Sequence, residues 1–577
     1  MENIMKGKWI HLALASILLC GVAAGCAKKD TTSSSSSPEE EAGDYTFESV
    51  LTDGTAIALA ANETKTYEIN KDITGRNYIR IQLKSDSNLL GKFKYSDVKD
   101  PTKVVEEEFF IEPSTEDIEF KQFLDSYREN GVGLFDKKLI SVSFKNLDSD
   151  KANVTIGDIS AADRDVPDYE KELYIEQGEL KVGADLTMGG TLSYLERTSW
   201  YGEPVREYLD WQNNVCIGMV ADESEVQLSI SDSVNLINIY DAGREIQQSY
   251  YANVGGTKAD TPEKVAAGDG DNAYSQENKP DDYGSNGYDR SWCYTADRNG
   301  YYWPYNPVQG GDEVCNCSQI IDYEQGDNYI YVKVRAMDWA NGNAWPNKNH
   351  PDYEKVKYGR TTKSYIENWY TIKNNMLFVD NRFIDWNGFT EMDTILPHSM
   401  EMPATYISHP LYRLVTYDGN SPWNLDDTNY LINDNCDNWV KNADRRERHP
   451  EDWFAWVNDQ NFGVGMYIPG VGTYVSGRSK TTRSTSYGGN CDARTAPMVE
   501  KYRNNKREPF TEYDSCYVGN TSYTAPVIRV QMKEYIPLSY SYVLAVDMLP
   551  QMREAFKEIY DSKTMLNEGL YAWGPIN

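Results

Sequence analysis

The rhythm of this chain constrains its fold more than any other feature. From residue 45 onward it is written in short alternating or apolar runs, separated by polar segments rich in turn formers. Between residues 45 and 163 the runs are "TKTYEIN", "YIRIQLK", "EEEFFI", "LISVSFKN" and "ANVTIGDI", and alternation at that spacing predicts a β-sandwich. Within it, "IEFKQFLDSYRENG" reads as one short helix or loop insertion. A boundary is expected at "RDVPDYEKE", residues 164–172, after which the rhythm resumes with "LYIEQGELKVGADLTMGGTLSYLE". Further strands fit an antiparallel meander: "YIYVKVRAMDW", "MLFVDNRFIDW", "FAWVN", "FGVGMYI", "TYVSGRS" and "SYSYVLAVDM". One helix is expected near the end, "MLPQMREAFKEIYD", because Met552, Phe556 and Ile559 recur at helical spacing.

A chain of 577 residues is long enough for two or three domains. Its first 25 residues read as an export signal: Lys6 and Lys8 precede an apolar stretch from Trp9 to Leu19 that is too short to span a bilayer. Val22-Ala23-Ala24-Gly25-Cys26 resembles the lipobox of bacterial lipoproteins, with Ala23 where Leu is usual. That resemblance implies lipidation at Cys26 and a membrane anchor on the extracytoplasmic face; the alternative is an ordinary secretory signal with an incidental cysteine. Residues 26–44, with five consecutive serines and a run of glutamates, read as a flexible tether. Domains are then expected at 45–165 and 166–577.

Composition narrows the partners. The 57 basic and 89 acidic residues give a net charge of −32, which disfavours nucleic acid and anionic lipid surfaces. The 43 Tyr and 14 Trp supply many rings with an apolar face and a polar edge, as saccharide and peptide surfaces require. Seven cysteines follow Cys26, an odd number that leaves at least one outside any pairing, and they are read as structural. The chain contains no Walker loop, no dinucleotide-binding glycine fingerprint after a parallel strand and no HExxH. "DGDN" and "NDNCDN" are acidic enough for calcium but lack the spacing of an EF-hand loop, so no metal or other cofactor is otherwise expected.

Residues 45–165 resemble, in strand rhythm, the jelly-roll modules appended to secreted polysaccharide-active enzymes, which implies either a carbohydrate-binding module or a spacer. From Gly189-Gly190 and the following Thr-Leu-Ser-Tyr, the second region resembles the opening hairpins of galactose-mutarotase-like supersandwiches. "NLINIYDAGREIQQSYY", "YNPVQGGD" and "EDWFAWVNDQNFGVGMYIPG" are similar in order to segments of secreted bacterial carbohydrate-processing proteins. The expected fold class is therefore all-β: an N-terminal jelly-roll-like β-sandwich followed by a large antiparallel β-supersandwich.

Glycosidic cleavage needs a proton donor and a second carboxylate, so candidates are carboxylates beside rings and amides. Three stretches qualify. In "DAGREIQQSYY", Asp241 is a candidate carboxylate, and Arg244, Gln247, Gln248 and Tyr250 are expected to line a glycan groove. In "YYWPYNPVQGGDE", Asp312 is a second carboxylate, Trp303 or Tyr305 could stack on a pyranose, and Asn306 and Gln309 could fix hydroxyls. In "ILPHSMEMPATY", His398 and Glu401 would converge if the segment between Pro397 and Pro403 forms a single helical turn; in a strand the pair would dissolve. Arg382 and Asp385, Glu451 and Trp453, and Asp338 and Trp339 read as structural rather than catalytic. The expectation is a lipid-anchored glycoside hydrolase of a neutral oligo- or polysaccharide, the alternatives being a polysaccharide lyase on a similar fold and a non-catalytic glycan-binding lipoprotein.

Overall fold

The computed structural model describes residues 45–124, 136–164, 172–200, 203–204, 215–219, 225–229, 235–237, 245–250, 307–311, 318–338, 361–386, 398–408, 411, 413–433, 449–458, 460–472, 474–479, 521–530, 535–565 and 567. The signal, Cys26 and the tether lie outside them. Tyr45–Asn577 form one compact unit. Its first part is a sandwich. One sheet runs Glu48–Thr52, Ala152–Ala162, Tyr78–Ser85, Ser114–Phe123, with Ala56–Leu59 also on Ala152–Ala162; the other runs Thr64–Asp72, Lys137–Asn146, Leu89–Asp97, Val104–Ile111. Alternate residues of both sheets, among them Ile79, Ile81, Leu83, Phe93, Phe109, Val142 and Phe144, meet in a shared core. The helix or insertion expected at "IEFKQFLDSYRENG" gives way, as far as Phe123, to the strand Ser114–Phe123. Its ladder with Tyr78–Ser85 satisfies the backbone and buries Phe120, Gln122 and Phe123, so pairing across the sheet outweighs the local pattern.

The second part is built on a ten-stranded antiparallel sheet. In order it runs Pro307–Val308, Tyr329–Asp338, Thr361–Lys373, Met376–Asp385, Leu538–Met548, Phe462–Tyr467, Trp453–Val457, Arg413–Tyr417, Tyr430–Asn433, with Gln319–Gln325 also on Tyr329–Asp338. Its inner face contributes Val332, Ile366, Val379 and Leu544 to a core shared with two smaller sheets. One is three-stranded, Glu172–Gln177, Leu180–Asp185 and Thr191–Arg197; the other is four-stranded, His398–Glu401, Thr521–Val530 and Thr405–Ser408, with Tyr474–Ser479 on Thr521–Val530. The expected all-β fold of stacked antiparallel sheets is the one observed.

Gly189 and Gly190 join two strands of the three-stranded sheet at φ of 64° and 66°, a backbone shape that a side chain strains. Space forbids one as well: a Cβ at Gly189 would run into the Gln309 carbonyl oxygen, and one at Gly190 into Val332. The turn is glycine because it is pressed against the core.

The outer face of the large sheet is covered in two places. At one flank lies the expected helix, Leu549–Ser562, which buries Leu549, Met552, Arg553, Phe556 and Ile559 and ends at Lys563 in the left-handed region. Buried Arg553 forks onto buried Glu451, with Nη2 2.6 Å from Oε1 and Nε 2.9 Å from Oε2. Glu451 also accepts from the Trp423 amide at 2.6 Å and the Trp453 indole at 2.5 Å. Arg553 donates further to the Asp427 and Asn424 carbonyls and lies 4.4 Å from the Tyr417 ring centroid. This pair is structural, as expected for Glu451 and Trp453.

At the other flank sits the N-terminal sandwich. Arg164 pairs with Asp322 at 3.0 Å, and its guanidinium is enclosed by the rings of Tyr45, Tyr78, Phe123 and Tyr323 at 4.3–5.2 Å. Tyr78 donates to the same carboxylate at 2.6 Å. Phe110 packs with Tyr365, Ile384 and Trp386 of the sheet, and Gln319 donates to Glu107 at 2.8 Å. Among the described residues no helix is long and apolar enough to cross a membrane.

Because each partner of the Arg553–Glu451 pair is buried, removing one leaves the other an uncompensated charge. Arg553→Met is expected to lower the unfolding free energy by about 3–5 kcal/mol in urea titration. A loss below about 1 kcal/mol would mean the pair behaves as a surface contact.

Candidate functional site

The candidate residues separate into three groups. Gln247, Gln248, Tyr250 and Gln309 are buried, and their polar atoms serve the protein itself. Gln248 donates its amide to the Glu367 carbonyl at 2.9 Å and accepts from the Tyr250 hydroxyl. The Gln309 side chain accepts from the Gln248 backbone at 3.2 Å and donates to the Gly189 carbonyl at 3.0 Å, and Gln247 accepts from the Gly310 amide at 2.7 Å. Tyr250 stacks on Phe383 with centroids 3.9 Å apart. These four do not line a groove, contrary to expectation. Gln247, Gln248 and Tyr250 lie on a buried segment whose described pairings are the isolated bridges Leu192↔Ile246, Gln247↔Ala404 and Ser249↔Val308, and side-chain amides, Gln309 of the neighbouring segment among them, complete what a ladder would otherwise supply.

The second group is His398 and Glu401. His398–Glu401 is a strand, paired in register from His398↔Val530 to Glu401↔Val527, and not a helical turn. The helical turn on which the expected pair depended is therefore absent from this segment. The third group, Asp241, Arg244, Trp303, Tyr305, Asn306 and Asp312, lies outside the described residues, as does "DGDN" and all of "NDNCDN" but Asn433. Among the described residues no group of three or more His, Cys, Asp or Glu could hold a metal.

What the fold exposes is a strip of the large sheet's outer face between the sandwich and the helix. Four successive pairings, Glu324↔Tyr331, Tyr331↔Trp369, Trp369↔Asp380 and Asp380↔Ser541, set five side chains in one row across adjacent strands. Glu324 and Asp380 are exposed, and Tyr331, Trp369 and Ser541 are half-buried. The Tyr331 and Trp369 rings lie 5.0 Å apart at 31°, and the Trp369 indole N–H has no partner among the described residues. One step toward the sandwich lies a second row, Lys333↔Glu367↔Arg382.

In that row Glu367 accepts from the Tyr331 hydroxyl at 2.8 Å and from Arg382 at 2.6 Å, while the other arm of Arg382 pairs with Glu112 at the end of the sandwich's strand Val104–Ile111. Burial alone would raise the Glu367 carboxyl; Lys333, Arg382 and the Tyr331 hydroxyl outweigh it and hold the group below its ordinary value. Burial would lower the Arg382 guanidinium, but Glu367 and Glu112 raise it further. Burial and then the Glu367 charge push the Tyr331 hydroxyl well up, so it stays a donor. The strip thus offers two rings, a free indole donor and a fixed set of charge-assisted hydrogen-bonding groups.

Sequence reasoning named Arg382 as structural and passed over Trp369 and Glu367 in "TTKSYIENWYTIK". The available signal was phase: Tyr365, Glu367, Trp369 and Thr371 alternate with the core residues Ile366, Tyr370 and Ile372.

No family model and no curated protein matches the chain. Among solved structures it is similar to a family 29 carbohydrate-binding module complexed with cellulohexaose, at 10% identity over 21% of this chain and 92% of that one, with a TM-score of 0.16. A mutant of that module complexed with mannohexaose is similar at 13% identity over 21% of this chain and 92% of that one, with a TM-score of 0.15. A protein of Escherichia coli K12 named for aldose 1-epimerase activity aligns at 10% identity over 66% of this chain and 99% of its own, with a TM-score of 0.27. At these scores neither kind of likeness carries weight, and the site is read from its own geometry.

A carboxyl whose folded value is lowered adds stability above its unfolded value, and that stability is lost as pH falls through the folded one. Unfolding is therefore expected to show wild type more stable than Glu367→Gln above pH 4.5, the ordinary value, with the difference shrinking at lower pH. A difference that holds constant into strong acid would contradict the assignment.

Proposed function

We propose that this chain captures a glycan on the outer face of its large sheet, at the extracytoplasmic surface of a membrane. The observation that carries the reading is the Tyr331–Trp369 ring pair set directly beside the Glu367–Arg382 pair on a sheet face that the other described residues leave open. Rings offer a flat apolar surface to the C–H face of a pyranose, and fixed charged groups hydrogen-bond its hydroxyls. Both kinds of group are held in place by the sheet register and by Glu112, which lowers the ordering cost of binding. Localisation rests on the sequence: an export signal, then Cys26 in a lipobox-like context, then a polar tether.

Capture is favoured over the glycoside hydrolysis first expected. Cleavage needs a carboxylic acid that arrives protonated, with a second carboxylate about 5–5.5 or 6.5–9.5 Å away. Of the strip's carboxylates, Glu324 and Asp380 lie open to water in the row of the rings, and Glu367, set beside the rings, is kept ionised by Arg382, Lys333 and Tyr331. It suits accepting hydrogen bonds from hydroxyls rather than delivering a proton. Hydrolysis through Asp241, Asp312 or Glu401 is the competing reading.

Purified protein incubated with neutral and acidic glycans is expected to bind by calorimetry and to release no fragments by mass spectrometry. Trp369→Ala is expected to weaken binding about tenfold or more, the effect of truncating a central aromatic anchor. Saturated fragments that vanish in Glu401→Gln would establish the hydrolase instead, and unsaturated fragments a lyase.

A further inference from the structure

The geometry points to an extended glycan chain free of carboxylate and sulfate groups as the occupant of the strip, an inference that rests on the capture reading. Length is the first argument. The row Glu324–Tyr331–Trp369–Asp380–Ser541 crosses five strands in unbroken register. At strand spacings of about 4.7–4.9 Å its four steps span roughly 19 Å, far longer than one sugar ring needs. The row runs across the strands, with Glu112 of the sandwich beyond the Lys333–Glu367–Arg382 row on one side. A row of that length suits a chain lying lengthwise across the strands.

Charge is the second argument. The row exposes Glu324 and Asp380 on either side of the Tyr331–Trp369 pair. Asp380 accepts from the Ser541 hydroxyl, and neither carboxylate forms an ion pair among the described residues. The cations nearby are committed: Arg382 to Glu112 and Glu367, and Lys333 to the rings of Tyr365 at 4.4 Å and Phe120 at 5.5 Å. Lys373, two rows further along its strand, lies 6.0 Å over Phe378. A chain drawn along the row therefore passes two exposed carboxylates, with no cation of the described residues in the row itself to receive an acid group. Each uronate or sulfate lying near one costs on the order of 1 kcal/mol of repulsion in water. Neutral hydroxyls, by contrast, can donate to both.

The test is calorimetry of the purified protein with neutral β-linked gluco-, manno- and xylo-oligosaccharides of increasing length, beside oligogalacturonates of matched length at low and high salt. Affinity for at least one neutral series is expected to climb with length and level off once the chain spans the row. Matched uronates are expected to bind at least tenfold more weakly at low salt, with the gap narrowing as salt screens the carboxylates. The double variant Glu324→Gln, Asp380→Asn should narrow the gap further, and Trp369→Phe, which keeps a ring, should retain length dependence. Binding that is as tight for a monosaccharide as for a long oligomer overturns the extended-chain inference and leaves glycan capture standing. Uronates binding as tightly as neutral chains overturn the charge argument. No binding of any glycan overturns the capture reading itself.

Discussion

A ten-stranded sheet has two faces, and a single chain must cover both or leave one to water. That constraint organises the molecule. Two smaller sheets and the crossing strand around Gln247 close the inner face, where the core shared by all of them lies. For the outer face the chain uses its two ends: the N-terminal sandwich docks at one flank, and the Leu549–Ser562 helix folds back over the other. Because the sheet is wider than either cover, the other described residues leave a strip open between them, and there aromatic side chains and paired charges replace the apolar residues that would otherwise demand burial.

Closing the inner face creates a polar problem. A segment that enters a core without a full ladder carries amides and carbonyls that water cannot reach, each costing free energy if left unmade. The answer is a network of amides and hydroxyls: Gln248 to the Glu367 carbonyl, Gln309 to the Gly189 carbonyl, Tyr370 to the Gly190 carbonyl at 2.9 Å. Glycine at both positions of the turn lets the backbone come within reach of those partners. A stretch as polar as "EIQQSY" is thus core by necessity, because its side chains do the pairing that neighbouring strands do elsewhere.

This explains which parts of the molecule could be read in advance. Strand rhythm and the closing helix were legible because period two and period 3.6 are local properties of the sequence. The sandwich strand Ser114–Phe123 was not, since its partner Tyr78–Ser85 lies more than thirty positions earlier and the local text is ambiguous. Nor was the role of Gln247, Gln248 and Gln309 legible, because an amide that contacts a ligand and one that satisfies a buried carbonyl are the same residue in a string. The segment around His398 turned on a single choice between turn and strand, decided by pairing with Thr521–Val530, more than a hundred positions away. Trp369 escaped notice because its environment is made by register: only pairing brings Tyr331 and Asp380 to its two sides.

The sandwich's place beside the strip gives it more than a spacer's part. Arg382 grips Glu367 of its own sheet with one arm and Glu112 of the sandwich with the other, so the sandwich helps fix the guanidinium that fixes the carboxylate. Behind that contact, the Arg164 cage and the Glu107–Gln319 bond restrain any sliding of sandwich over sheet. Loss of such restraint would free Arg382 to follow either partner, and Glu367 would lose the cation that outweighs its burial. The charge state of the strip is therefore a property of the joint between the two parts, and a sandwich cut away from the sheet would take part of the proposed binding surface with it.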